Sequence, residues 1–391
     1  MRLIYLLSLI QIAVACSSSD SNIFEIDPRN FVDNKITLSE IANDIKYIPL
    51  DNSFPIGITY TLRITKEHIY LSIKEVGIVQ FDRNGKFVRK IGSRGKGPGE
   101  YWYGMNFTVD DLTGNVYVLD HGIVKVYSPS GIFLRDILLK GYAGGYSFSD
   151  LEIFNSLLFF PDYIPTGDSK YSWVFIDTLG HLVATKKNSV PPFQSGIETE
   201  GSTYKFENKL FYSNYFNDTI FSISSNLSNS ATYLFAQGDH RWPKERIDIE
   251  SESIYRLFRH GGMFETNRFI VFVYAYLERY TYCLIDKKTK ETFLANKYEE
   301  TPGRYTKYKP WLINDLDGGM PLSGNIKYYS ENEDEFIITL INPFNLKTYV
   351  ASAEFKSIIP KYPEKKKELI KLADSMKETD NPVLVLVRLK D

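Results

Sequence analysis

The sequence predicts a six-bladed β-propeller, and three observations carry that prediction. Aromatic residues that favour strands are abundant, with 28 Tyr and 26 Phe in 391 residues. A four-strand block recurs at an interval of about 45 to 60 residues, the mark of a repeat fold. An orphan strand near the N-terminus is matched by an apolar strand at the C-terminus, so that one can close a ring on the other.

The first copy of the block reads Tyr60 to Ile64, His68 to Ser72, Gly77 to Asp82 and, after the turn Arg83-Asn84-Gly85-Lys86, Phe87 to Ile91. The Asn-Gly pair between alternating apolar residues is a strong hairpin signal. A second copy follows over Asn106 to Asp110, Asn115 to Asp120, Ile123 to Tyr127 and Ile132 to Ile137, with Ser130-Gly131 at the turn. Four short strands per copy is the content of a propeller blade. Weaker copies of the hairpin recur at Val174 to Leu182, Asp218 to Ile223 and Tyr282 to Asp286. With Phe81, Tyr127, Ile176, Ile223 and Ile285 as anchors, the spacings are 46, 49, 47 and 62. The longest interval holds an insertion, Pro243 to Gly261, whose Ile254, Tyr255, Leu257 and Phe258 predict a short amphipathic helix.

A sixth unit begins past Trp311. Ile326 to Tyr329 and Phe336 to Ile341 supply two strands, and Asn342-Pro343 reads as an N-cap followed by proline at the first helical position. A second helix is predicted from Pro363 to Met376, with Lys365 to Lys367 on its solvated face. Val383 to Val387 is a near-continuous apolar strand, hence buried on both faces. This blade lacks one strand. The segment Ile45 to Leu50 has no hairpin partner beside it and supplies the missing strand, which protects the edges an open ring would expose.

The N-terminus carries export grammar: Met1-Arg2, an apolar run from Leu3 to Ala15 and the small-residue pattern Ala13-Val14-Ala15. The run is too short to span a bilayer. Cys16 directly after it resembles the lipobox of bacterial lipoproteins, which implies that residues 1–15 are a signal peptide and that Cys16 is acylated. Residues 16–34 then form a flexible tether, opened by Ser17 to Asn22, and residues 35–391 the propeller. The only other cysteine, Cys283, lies in an apolar run and reads as an inert buried thiol.

Phe81 to Gly92, continuing through Gly95-Lys96-Gly97-Pro98-Gly99-Glu100-Tyr101 and ending in Val116 to Asp120, resembles the NHL repeat. With the lipobox, the run Asn314-Asp315-Leu316-Asp317-Gly318-Gly319 and the ending Asp380 to Leu386, the chain is similar to the uncharacterised six-bladed propeller lipoproteins of Gram-negative bacteria. The resemblance implies the fold and an envelope location, with the outer membrane as the expected site; it carries no agreed activity.

A net charge of −2 provides no field to recruit nucleic acid. The chain has no Gly-x-Ser-x-Gly, and its five histidines have no paired spacing for zinc. Function concentrates on loops carried by a rigid scaffold. The long interblade loops, Ser93 to Gly104, Asn188 to Thr203, Gln237 to Gly262 and Asn296 to Pro321, ring one mouth and mark it as the expected binding face. Its richest stretch offers Arg94, Lys96, Glu100, Tyr101 and Trp102, a mixture of charge and aromatic surface suited to a sugar or peptide; the competing and commoner explanation is that Gly97-Pro98-Gly99 simply shapes an interblade crossing. His240, Arg241, Trp242 and Trp311 lie in other loops of the same mouth. Asn314, Asp315 and Asp317 are the candidate Ca²⁺ ligands in the channel, since hard cations take clustered oxygens; turn formation beside Gly318-Gly319 is the competing explanation.

The leading expectation is therefore a non-catalytic, lipid-anchored propeller that binds a glycan, a peptide or an envelope protein. The alternative is a lyase or glycosidase with an acidic channel-mouth site, which predicts turnover that depends on Asp315 or Asp317. A purely structural role predicts a co-purifying protein and no small ligand.

Overall fold

The computed structural model describes residues 23–390 apart from 103, 140, 143–147, 149, 163–168, 190–200, 214–217, 236–256, 278, 304, 305 and 325. Six sheets of four or five strands carry the chain, as the repeat predicts. Blade 1 is built from Thr59–Ile64, His68–Ile73, Gly77–Asp82 and Phe87–Ile91. Blade 2 runs from Asn106–Val109 to Phe133–Leu138, and blade 3 from Glu152–Phe154 to Leu182–Lys187. Blade 4 runs from Ser202–Phe206 to Asn229–Phe235, and blade 5 from Arg259–Glu265 to Thr306–Pro310. Blade 6 takes Lys327–Glu331, Asp334–Ile341 and Val383–Leu389 from the C-terminal region. Its outer strand is the N-terminal Ala42–Pro49, antiparallel to the C-terminal strand with Ile45 opposite Val387 and Ile48 opposite Leu384. The ring closes where the sequence predicts.

The recurring turn has a mechanical cause. Asp82 Oδ1 accepts from the N–H groups of Asn84 and Lys86, and Asp177 Oδ1 does the same for Leu179 and His181. Each such turn then seats on the preceding blade. The Gly85 carbonyl accepts from Asp51 N–H at 2.8 Å, and a Cβ on Gly85 would lie 2.2 Å from the carbonyl oxygen of Pro49. Gly131 repeats the contact: its carbonyl accepts from Gly92 N–H, and a Cβ there would lie 2.7 Å from Lys90 O. Glycine supplies both the positive φ, +84° and +80°, and the close approach.

Apolar side chains between neighbouring sheets form the core. Val124, Val126, Leu158 and Ile176 pack blade 2 on blade 3, while Ile48, Leu71, Phe81 and Leu384 pack blade 6 on blade 1. Cys283 is a free, fully buried thiol in blade 5, and burial pushes its pKa well up. The C-terminal helices pack Leu346, Phe355 and Leu369 in one core with Ile337, Val385 and Val387 of blade 6. Asn342 Oδ1 accepts from Phe344 N–H and caps Pro343–Ala351, and Pro363–Ser375 buries Leu369 and Ala373.

Two expectations change. The sequence predicts a flexible tether over residues 16–34, but from Phe24 onward the chain is a strap over blades 4 and 5. Phe24–Ile26 adds to blade 4 as a parallel fifth strand opposite Tyr233–Phe235. Phe31 then packs on Phe272 and Tyr274 of blade 5, Asn34 bridges Phe293, and Thr37 bridges Ile313. The cause is the apolar content of the segment: Ile26 and Ile36 are buried to 2% and 4% exposure. The second change concerns the predicted insertion. Residues 243–256 lie outside the described residues, whereas Arg259–Glu265 is the innermost strand of blade 5 and Phe258 stacks on Phe235 and Tyr274.

Candidate functional site

The Arg94 loop connects blade 1 to blade 2, and its predicted site residues are largely committed to that crossing. Ser93–Arg94 and Glu100–Tyr101 form a two-stranded parallel pair. Tyr101 is buried at 1% exposure; its hydroxyl accepts from Ile78 N–H and donates to Ile91 O, both at 2.8 Å. Glu100 folds back to accept from Gly97 N–H at 2.8 Å and from the Ser93 hydroxyl at 3.3 Å. Arg94 pairs with Glu75, and its Nε donates to Trp102 O at 3.0 Å. Only Lys96 and Trp102 present an outward surface, with the ammonium 4.4 Å from the indole centroid and Trp102 37% exposed.

The other predicted residues do not join them. Trp311 belongs to the crossing from blade 5 to blade 6, where the Lys297 and Lys309 ammoniums lie 4.6 and 5.4 Å from its ring. His240, Arg241 and Trp242 lie outside the described residues, as does Cys16.

The run Asn314 to Gly319 sits against the segment before the last helix, not along the channel: Lys361 and Tyr362 donate their N–H groups to the carbonyls of Asp315 and Leu316. Asp315 accepts from Ser39 N–H, the Ser39 hydroxyl and the Thr37 hydroxyl at 2.5 to 2.9 Å, which holds the short helix Leu38–Ile41. Asn314 Nδ2 donates to Asp317 Oδ1 at 2.7 Å, and that oxygen also accepts from Gly319 N–H. Burial raises the Asp317 carboxyl pKa. Asp315 is thus engaged by Ser39 and Thr37 while Asn314 and Asp317 bond each other and Gly319, two separate sets of partners, whereas a Ca²⁺ ion takes six to eight oxygens. No cluster of three or more His, Cys, Asp or Glu that would hold a metal ion occurs among the described residues.

Charge converges instead in the central channel. A cavity of about 460 Å³ is lined by the innermost strands of all six blades. Glu152 of blade 3 is its hub. Arg63 Nη2 of blade 1 lies 3.0 Å from Glu152 Oε2 and Lys205 Nζ of blade 4 lies 3.2 Å from Oε1. The Thr108 hydroxyl of blade 2 donates to Oε1 at 2.9 Å, and Ile153 N–H donates to it at 3.1 Å. Burial would raise the Glu152 pKa, but the two cations and two donors outweigh it and hold the carboxyl at about 2. Glu152 is thus a fixed carboxylate that ties four blades together and is unsuited to donate a proton as a general acid.

Lys327, on the innermost strand of blade 6, lines the same cavity. Burial and the charge of Arg63 bring its ammonium down to about 8, although Asp150 and Glu152 act the other way. Burial also raises the carboxyl of Asp111, another lining residue. A second cavity, of about 860 Å³, opens among the hairpin turns of the opposite face and shares Asp111, Lys205, Tyr328 and Ser330 with the first. Its rim carries the tight turns Asn155-Ser156, Glu207-Asn208 and Asn332-Glu333, all six residues at positive φ.

Sequence reasoning placed the site on the loops and missed Arg63, Glu152, Lys205 and Lys327. The available signal was a charge between apolar neighbours in the first strand of a blade, as in Leu62-Arg63-Ile64 and Tyr204-Lys205-Phe206.

Six radial sheets around a polar channel define the class, a six-bladed β-propeller. The chain belongs to the DUF4934 family, a domain of unknown function, which it matches over residues 23–388. No curated protein matches the sequence. Among solved structures, a Bacteroides fragilis NCTC 9343 protein described as exported is similar, with 18% identity and a TM-score of 0.66 over 94% of this chain and all of that one. A Bacteroides vulgatus ATCC 8482 member of the DUF4221 family has 11% identity and a TM-score of 0.49, covering 89% and 97% of the two chains. Virginiamycin B lyase of Staphylococcus aureus has 12% identity and a TM-score of 0.43 over 75% and 95%. At these identities the likeness speaks to fold alone. No helix among the described residues is long and apolar enough to cross a membrane.

Proposed function

We propose that the protein is an exported, lipid-anchored propeller of the bacterial cell envelope that binds a small polar ligand, of glycan or peptide type, in its central channel without transforming it. The convergence of charged, hydroxyl and amide side chains from five of the six blades on one cavity, to which blade 5 adds Gly262, Met263 and Phe264, carries the binding reading. The NHL-like repeat, the lipobox at Cys16 and the exported relative from Bacteroides fragilis support the envelope location. The strap adds a constraint. Eight residue steps separate Cys16 from Phe24, a reach of roughly 28 Å at full extension, which keeps the rim of blade 4 near the bilayer.

Two experiments test this reading. Cys16→Ser is expected to abolish palmitate incorporation and release the protein from membranes; membrane retention of the variant contradicts the anchor. On a glycan and peptide panel, Thr61→Trp, which fills the channel, is expected to remove binding at an unchanged melting temperature, while Trp102→Ala leaves it intact. The reverse pattern moves the site to the loop.

A further inference from the structure

Resting on the channel-binding reading, we infer that the ligand is acidic and that Lys327 is the residue that receives its carboxylate. Lys327 makes no ion pair or hydrogen bond with any described residue, although it lines a cavity in which the other cations are committed. Arg63 and Lys205 both pair with Glu152, and Lys205 Nζ also donates to Ile153 O at 3.3 Å. Lys327 is half-buried, and its ammonium has only the more distant charges of Asp150 and Glu152 to set against that of Arg63. A ligand carboxylate delivered to it supplies the missing charge-assisted hydrogen bond, and such bonds are among the strongest available.

The rest of the lining defines the other half of the ligand. Thr61, Asn106, Thr108, Thr203 and Tyr328 surround the cavity with hydroxyl and amide groups. Asp111, also in the lining, is an acceptor for ligand hydroxyls. A carboxylate together with several hydroxyls is the chemistry of an acidic sugar, and about 460 Å³ holds one or two such rings. Leu62, Met263 and Phe264 add apolar surface suited to the face of a sugar ring.

The probe is digalacturonate, titrated calorimetrically into the full mature chain beside its neutral counterpart, digalactose. Digalacturonate is expected to bind wild type at least tenfold more tightly than digalactose does. Lys327→Gln is expected to lose at least tenfold for the acidic probe, Lys327→Arg to retain most of it, and all three proteins to share a melting temperature. Equal binding of both probes, unchanged by Lys327→Gln, overturns the acidic-ligand inference and leaves the channel reading standing. No binding of either probe, with a panel ligand that Thr61→Trp still blocks, overturns the inference in the same way. A panel ligand that Thr61→Trp does not block overturns both.

Discussion

At the residue scale, Glu152 is the side chain on which most depends. It accepts from blades 1, 2 and 4 while buried. Removing one partner of a buried ionic cluster strands the others, at a cost of about 3–5 kcal/mol. Glu152→Gln is therefore expected to lower stability by about that amount in denaturant titration, with fluorescence as the readout. The sign of the pH effect follows from the same contacts. A carboxyl held at about 2, against an ordinary 4.5, stabilises the fold fully above 4.5 and progressively less as the pH falls toward 2. The wild type should lose this contribution between about pH 4.5 and 2, and Glu152→Gln should show a flatter profile there. A second residue-scale test concerns Gly319. A Cβ at that position would lie 2.4 Å from the Tyr47 hydroxyl and 2.9 Å from both Asn314 Nδ2 and Asp317 Oδ1. Gly319→Ala should cost about 1–3 kcal/mol by overpacking, measured as a drop in melting temperature. None of these contacts was legible in advance, because Arg63 and Glu152 are 89 positions apart in the sequence and meet only across the ring.

At the scale of elements, the strands and their order were legible, and so was the latch between Ala42–Pro49 and Val383–Leu389. Period-two alternation and Asn-Gly or Ser-Gly turns are local signals, and they survive folding unchanged. The strap was not legible. Phe24–Ile26 is too short to show a period, and its partner strand lies more than 200 residues away. Its role is to cover an edge: without it the outer strand of blade 4 presents unpaired backbone groups together with Tyr233 and Phe235. Deleting residues 23–34 is expected to leave the ring folded but raise concentration-dependent aggregation, measured by light scattering. A variant as soluble as wild type would mean that the strap covers nothing of consequence. The loop Ser93 to Gly104 was legible in both of its readings, as a binding surface and as an interblade crossing. Its charge and aromatic content resembled a binding surface, yet Tyr101, Glu100 and the glycines around them are spent on turning the chain from one blade to the next.

At the scale of the whole molecule, the ring does two jobs with one geometry. Sheets radiating from a common axis bury apolar side chains between blades and bring the inner strands together, so isolated charges such as Arg63, Lys205 and Lys327 converge that are scattered along the chain. The proposed site is thus a property of closure, and the class of fold alone does not say which residues line it. The most direct test is hydrogen exchange on the mature chain with and without digalacturonate, read by mass spectrometry. The account predicts protection confined to the inner strands around Thr61–Thr65, Asn106–Val109, Ser202–Lys205 and Lys327–Ser330. Protection confined to Ser93–Trp102 and the crossing at Trp311, with the inner strands unchanged, would contradict it.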